Sequence, residues 1–292
     1  MANLKETRSR ITSVKSTMQI TSAMKMVSAA KLKRAQDAIT QMRPYAEKLQ
    51  EILANVTSDV EEIEGGVFSK ARAVKKVLLI PVTSNRGLCG GFNSNILKLT
   101  VNLLKTDYAE LNAQGNVEVL AIGKKAAEYF KTRASVVAAH TDIFNALNFD
   151  NSAAIAEEVM AYFADGKYDE VRLIYNSFKN AATQIVNNEL FLPIIPSANA
   201  SDKTNNTDYL FDPNKEEIII NLIPKALKTQ FYKALLDSMA GEHGARMTAM
   251  HKATDNAKSM ARDLTLQYNK ARQAAITNEI LEIVGGAEAL KN

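Results

Sequence analysis

Residues 247–275 read MTAMHKATDNAKSMARDLTLQYNKARQAA. Within them Met247, Met250, Thr254, Ala257, Ala261, Leu264, Tyr268, Ala271 and Ala275 step alternately by three and four residues. That spacing is the seam of a helix packed against another helix in a coiled coil. Many seam positions are small, so the partner helix can approach closely. Ile276, Ile280 and Ile283 continue an apolar face towards Gly285-Gly286, where the helix is expected to stop. Upstream, Asp212-Pro213 suits an N-cap followed by the first helical position, and Pro224 predicts a local kink.

The first 64 residues carry a matching pattern. Ala35, Ala38, Met42, Tyr45, Leu49, Ile52 and Val56 alternate by three and four, and Ile11, Val14 and Met18 keep the same spacing upstream. Ile20, Met24 and Val27 widen the stripe to a second face. No glycine occurs before Gly65, and Pro44 is the only early proline. One long helix is predicted, kinked at Pro44 and ending near Gly65-Gly66. A helix over 2–64 runs about 95 Å and one over 225–284 about 90 Å. A compact chain of this length is only about 50 Å across. The two helices are therefore expected to project and to wrap each other as an antiparallel pair.

Turn residues cluster between 65 and 224, and the pattern there is α/β. Strands are predicted at 74–82, 117–122, around Val136-Val137, at 170–175 and at 185–194, the last differing by two asparagines. Helices are predicted over 93–111, 124–131 and 152–164, with Ser152 capping the last. Alternation of this kind implies a doubly wound, mixed sheet, a Rossmann-like α/β domain. Residues 197–208 read as a polar loop. The expected organisation is an N-terminal shaft helix over 1–64, an α/β domain over 65–211 and a C-terminal shaft helix over 212–292.

The 292 residues are 46% hydrophobic and 23% charged, as in a protein with a packed core, and no apolar run is long enough to span a membrane. A single cysteine, Cys89, excludes an internal disulfide. The net charge of +4 is unevenly placed. Residues 1–50 hold ten Lys/Arg against three Asp/Glu, and 225–292 hold ten against seven, so the ends are basic and the centre acidic. Residues 2–34 are basic, Ser/Thr-rich and poor in acid, like an organellar transit peptide. The apolar seam runs on unbroken past them, so they read as part of the mature helix.

Little in the sequence points to bond chemistry. Thr83 to Asn93 joins a strand to a helix through Gly87, Gly90 and Gly91, but it matches neither phosphate-binding fingerprint. A tight turn is the favoured reading. His140, His243 and His251 lack the i, i+4 spacing of a helical metal pair.

Three longer motifs carry a resemblance that covers nearly the whole chain. Asn3-Leu4-Lys5-Glu6 with Ile11, and Gln19 to Val27, resemble the start of the gamma-subunit family of F-type ATP synthases. Arg86-Gly87-Leu88-Cys89-Gly90-Gly91-Phe92-Asn93 is similar to its central signature. Ala245 to Met250, Ala253 to Ala257 and Tyr268 to Thr277 resemble its C-terminal signature. Asn85 departs from the family's usual Asp, and Gly244 from its usual Ala.

The resemblance implies a rotor without catalytic residues or cofactors. Its helix pair would turn inside a hexamer of alpha and beta subunits, and its α/β domain would sit with the epsilon subunit on a membrane ring of c-subunits. Proton flow would drive the rotation, coupled to ATP synthesis and hydrolysis. Lys25, Lys31, Lys33, Arg34, Arg86 and Cys89 would face an acidic lever of the catalytic subunits, with the Cys89 thiol partly reachable. Arg272 and Gln273 would catch a loop of one catalytic subunit. Tyr209, Leu210, Phe211 and Asp212 would touch the membrane ring. Ile276, Ile280, Ile283 and Val284 would turn in an apolar bearing. The implied location is peripheral, on the cytoplasmic face of a bacterial plasma membrane, with no nucleic-acid partner.

Two alternatives rest on the residues alone. A coiled-coil nucleic-acid binder would use the basic N-terminus and lose affinity steeply with salt. A nucleotide-binding α/β enzyme would use the loop 83–93 and bind nucleotide saturably by itself.

Overall fold

The computed structural model describes residues 4–57, 67–68, 72–194 and 215–289. The elements are α1 (Leu4–Thr57), β1 (Val77–Pro81), α2 (Phe92–Lys105), α3 (Ala109–Ala113), β2 (Val117–Ile122), α4 (Lys124–Phe130), β3 (Ser135–His140), a 3-10 turn at Ile143–Asn145, α5 (Phe149–Ala164), β4 (Glu170–Phe178), β5 (Gln184–Leu192) and α6 (Lys215–Ala289). Contacts divide the chain into two compact units, 29–246 and 1–28 with 247–292. Each long helix contributes to both. The expected domain boundaries near 64 and 211, the glycine stop at 65–66, the Asp212 cap and the polar loop 197–208 lie outside the described residues.

In the unit 29–246 five strands form one sheet in the order β3-β2-β1-β4-β5. β1 pairs in parallel with β2 and β4, β2 in parallel with β3, and β5 runs antiparallel to β4. The sheet is mixed and doubly wound, as the sequence predicts. Alternation along β1 sends Leu78 and Ile80 to one face and Val77 and Leu79 to the other. The first face is covered by α5, through Ile155, Val159 and Phe163, and by Ile223, Leu227, Phe231 and Leu235 of α6. The second is covered by Ile96 and Leu103 of α2 and Phe130 of α4. The early part of α6 is thus a wall of the sheet domain as well as the root of a long helix.

Several element ends differ from the sequence-based expectation for local reasons. β1 starts at Val77 because the N–H groups of Lys75 and Lys76 donate to Asp169 Oδ2, at 2.9 and 3.0 Å, outside the ladder. The helix expected over 93–111 ends at Lys105: Thr106 Oγ1 lies 2.9 Å from both Asn102 O and Asp107 Oδ1 and can give its one proton to either, a local alternative to continuing the helix. Ser152 does not cap α5. Asn148 does, its Oδ1 accepting from Asn151 N at 2.8 Å, while Ser152 Oγ turns back to Phe149 O inside the helix. After β2 the chain turns at Gly123, with φ +87°, where a Cβ would lie 2.0 Å from Thr83 O, so only glycine fits. α1 runs through Pro44, and α6 through Pro224, Gly285 and Gly286, without interruption. The two glycines weaken the helix by about 1 kcal/mol each but do not end it.

In the unit formed by 1–28 and 247–292 the two helices make a seam. Leu4, Thr7, Ile11, Val14, Met18, Thr21 and Ser28 are its buried or half-buried positions on α1. Of Ile20, Met24 and Val27, expected to widen the stripe, Met24 is half-buried, while Ile20 and Val27 are 60% and 57% exposed. The seam instead continues through the hydroxyls of Thr21 and Ser28, a path that hydrophobic spacing does not reveal. On α6 it follows Met247, Met250, Thr254, Ala257, Ala261, Leu264, Tyr268 and Ala271 as read from the sequence, but Ala275 is exposed. Thr254 Oγ1 donates to Thr21 Oγ1 at 2.8 Å. Seventeen residues lead from Thr21 back to Leu4, and seventeen lead from Thr254 on to Ala271. The seam therefore closes only if the helices run antiparallel, with Leu4 opposite Ala271.

Candidate functional site: an exposed helix end and a latched glycine-rich loop

Past Ala271 the α6 seam has no described partner residue, and 272–288 are exposed all round. Arg272 and Gln273 stand on this stretch, and neither side chain makes a hydrogen bond or ion pair among the described residues. Beyond them Ile276, Ile280, Leu281, Ile283 and Val284 are 48–66% exposed. Five large apolar side chains on one solvated helix end form a surface that calls for a partner.

The glycine-rich loop lies in the sheet unit and is closed upon itself. Asn93 Oδ1 accepts from Ser84 N at 2.9 Å, and Asn93 Nδ2 donates to Ser84 Oγ at 2.8 Å and to Cys89 Sγ at 3.3 Å. These bonds fill the interior of the loop, as a tight turn requires. Asn85 explains its own departure from Asp: its Nδ2 donates to Thr141 O at 2.6 Å while its Oδ1 accepts from Lys124 N at 2.9 Å. A carboxylate has no proton for the first of these bonds. Cys89 is 2% exposed, so the expected reachable thiol is instead a packed core group, and burial pushes its pKa up. The loop turns outward at Arg86, Gly87 and Leu88. Leu88 is 65% exposed and sits at φ +61°, a left-handed conformation that costs a leucine about 1–2 kcal/mol.

A buried arginine of α6, unforeseen from the sequence, holds this loop. Arg246 Nη2 donates to Arg86 O at 3.0 Å and to Gly87 O at 3.2 Å, and Arg246 Nη1 donates to Glu242 Oε1 at 2.6 Å. Both side chains of this ion pair are about nine-tenths buried. Burial raises the Glu242 pKa against the pull of Arg246, Lys31 and Arg86. His243 beside them is driven down to about 4 by burial, Arg246 and Lys31, so it is neutral at pH 7. The separation of 160 positions between Arg86 and Arg246 hid this contact from any local reading.

Of the basic residues expected at one surface, Lys31 and Arg86 both act on the charge of Glu242, pulling its pKa down. Lys33 pairs with Asp37 at 2.8 Å one turn along α1, and Arg34 is exposed. Lys25 is half-buried in the other unit. Tyr209, Leu210, Phe211 and Asp212 lie outside the described residues. No group of residues suited to a metal ion, and no helix long and apolar enough to cross a membrane, occurs among the described residues.

Comparison with known proteins matches these features over the whole chain. A family model described as ATP synthase matches residues 3–290. The chain is 60% identical over 292 residues to the ATP synthase gamma chain of Flavobacterium psychrophilum, covering 100% of both. It is 46% identical to that of Chlorobaculum tepidum, again covering 100% of both. Among solved structures, a chain of the central stalk and c-ring of the Tetrahymena thermophila mitochondrial ATP synthase is 30% identical, with 80% of this chain and 99% of that chain covered and a TM-score of 0.60. A chain of the Euglena gracilis mitochondrial rotor shares the fold at 18% identity, with 94% and 98% covered and a TM-score of 0.66. Full-length identity of this order, on a fold of two long helices and a mixed five-stranded sheet, places the chain in the ATP synthase gamma-chain family.

Proposed function

We propose that the protein is the turning central stalk of an ATP synthase, coupling proton flow through a membrane ring to ATP synthesis and hydrolysis in a hexamer of alpha and beta subunits. The observation that carries this reading is the unpartnered end of α6. Residues 272–289 add about 27 Å of helix beyond the last seam position. Their exposed isoleucines suit an apolar sleeve in which a helix turns without being gripped. Arg272 adds a planar fork of donors and Gln273 a donor and an acceptor, enough to hold one carboxylate-bearing loop at about 1.5–3 kcal/mol and then release it. The outward loop Arg86–Leu88, with Lys31, offers a basic and apolar surface to an acidic lever of the catalytic subunits. The chain itself makes and breaks no bonds; it biases which conformation each catalytic site adopts.

The sheet domain, with residues 209–212, is the proposed contact with the c-ring and the epsilon subunit. The location that follows is the cytoplasmic face of a bacterial plasma membrane, held there by its partners. The test is the double substitution Arg272→Ala with Gln273→Ala in the assembled enzyme. Turnover and proton-driven ATP synthesis fall while the complex stays intact. Wild-type synthesis rates across the range of proton-motive force would remove the catch from the reading.

A further inference from the structure

Six residues of α6, Gly241 to Arg246, are held from two opposite sides. On one side stands the end of the β4–β5 hairpin. Asn180 and Thr183 exchange backbone hydrogen bonds at 3.2 and 3.3 Å, and Asn180 Oδ1 accepts from the N–H groups of Ala182 and Thr183. This stiff turn lies directly on the helix backbone. A Cβ at Gly244 would stand 3.1 Å from Ala181 Cα and 3.2 Å from Ala181 O; a Cβ at Gly241 would stand 3.3 Å from Gln184 Cγ and 3.3 Å from the Phe92 ring. Glycine in a helix interior lowers its intrinsic stability, and here Gly244 stands where the Ala181 backbone needs the room and Gly241 where the Gln184 and Phe92 side chains do.

On the other side, the Arg246 fork grips the carbonyls of Arg86 and Gly87, and Glu242 steadies the guanidinium. At about 100° per residue, the two glycines centre on a helix face about 150° from the face that carries Glu242 and Arg246. The supports of the two sides are themselves joined, because Asn176 Nδ2 of β4 donates to Phe92 O at the start of α2 at 3.1 Å.

We infer that Gly241 to Arg246 form a two-jawed clamp through which the sheet domain passes torque into α6. The inference rests on the rotor reading and adds to it the place where foot and shaft are keyed together. A contact on one side of a helix lets it roll away under load. Jaws on opposite sides block rotation in both senses, one by steric fit against the hairpin and one by a charged fork on two carbonyls. The compact sheet unit ends at Arg246, so the clamp closes on the last turns of α6 that this unit contains.

The experiment uses the complete ATP synthase with its hexamer immobilised and a bead fixed to the sheet domain through Lys105→Cys, an exposed site at the end of α2. Rotation is driven by ATP, and the angular width of the bead is read during pauses. The jaws act in parallel with each other and with the apolar wall of Ile223, Leu227, Phe231 and Leu235, so loss of one raises the angular variance by up to about twofold. Gly241→Ala with Gly244→Ala, and separately Arg246→Lys, keep rotating with a variance increased within that range. Arg246→Lys retains the charge beside Glu242 but not the fork, and it decides the matter by itself if the glycine variant fails to assemble. A substitution that merely lowers stability leaves the width of assembled, rotating enzymes unchanged. Unchanged width in the variants that assemble overturns the clamp. Absence of rotation in the unsubstituted enzyme overturns the rotor reading instead.

Discussion

The two units of this protein are held together by different physics. In the sheet unit Leu78, Ile80, Val119, Leu120, Phe163 and Leu173 are fully buried, and both faces of the sheet are covered by apolar helix stripes. Large side chains removed from water supply its stability at about 25 cal/mol per Å². Among the described residues of the helical unit, the buried ones are Thr7, Thr21, Ser28, Met250, Ala257 and Ala261. Half of them are polar and two are alanines. That seam gains little from hydrophobic area; it relies on close approach and on hydroxyl bonds such as Thr21–Thr254. A seam made this way stays slender, and its surroundings keep Ile20, Met26 and Val27 in solvent. The sheet unit holds most of its large apolar side chains inside, whereas the helical unit leaves several of them in solvent.

The sharpest way to break the comparison is to remove the buried Glu242–Arg246 ion pair of the sheet unit. Arg246→Ala leaves Glu242 buried without its partner and two loop carbonyls without donors. The expected loss in urea unfolding of the isolated chain is ~3–5 kcal/mol. A loss well under 1 kcal/mol would mean that apolar burial alone sustains this unit.

A smaller effect comes from Asp237, only 8% exposed, on α6. Burial pushes its pKa up from 3.8 to about 6; Lys233, Arg43 and Ser177 pull it down, and Glu189 on β5 adds to the rise. Well below pH 4 the carboxyl is protonated in both folded and unfolded chains and costs nothing, and at pH 4 the cost is still small. As pH rises from about 4 to about 6 the unfolded chain ionises first, so the fold loses stability, and above pH 6 the full penalty of ~2–3 kcal/mol remains. Asp237→Asn is therefore expected to be more stable than the parent at pH 8 and no more stable at pH 4. A gap independent of pH, measured by denaturation at both values, would rule this out.

The smallest effect belongs to the seam. A double-mutant cycle of Thr21→Val and Thr254→Val should return a coupling of about 1 kcal/mol. The two single variants together cost more than the double, because each by itself already removes the bond between the two hydroxyls. Additive costs would show that the seam is held by packing alone and that the contrast between the units is one of degree.

Period and punctuation made much of the architecture legible. The three-four stepping from Met247 to Ala271 marks the residues that pack, because a helix repeats its face every seven residues wherever the partner is also a helix. β1, β2 and β4 were visible as β-branched and leucine runs between turn residues, since parallel strands are buried on both sides. The candidate site was legible only in part. Arg272, Gln273 and the isoleucines beyond them were readable because they fall on a helix whose seam can be counted.

What tertiary structure alone decided is where apolar spacing and burial part company. Thr21 and Ser28 are buried while Ile20 and Val27 are exposed, because the position of the partner helix, rather than the hydrophobicity of a residue, selects the inward face. Cys89 is sealed inside its loop by Ser84 and Asn93, and Arg246 reaches the carbonyls of a loop 160 residues away. Gly244 looks like a weak point in a helix until the Ala181 backbone is found against it. Sequence determines periodicity, which is local, and so it determined the helices, the strands and the α6 seam from Met247 to Ala271. Contacts between segments far apart in the chain depend on how those elements close on one another, and only the folded chain supplies that.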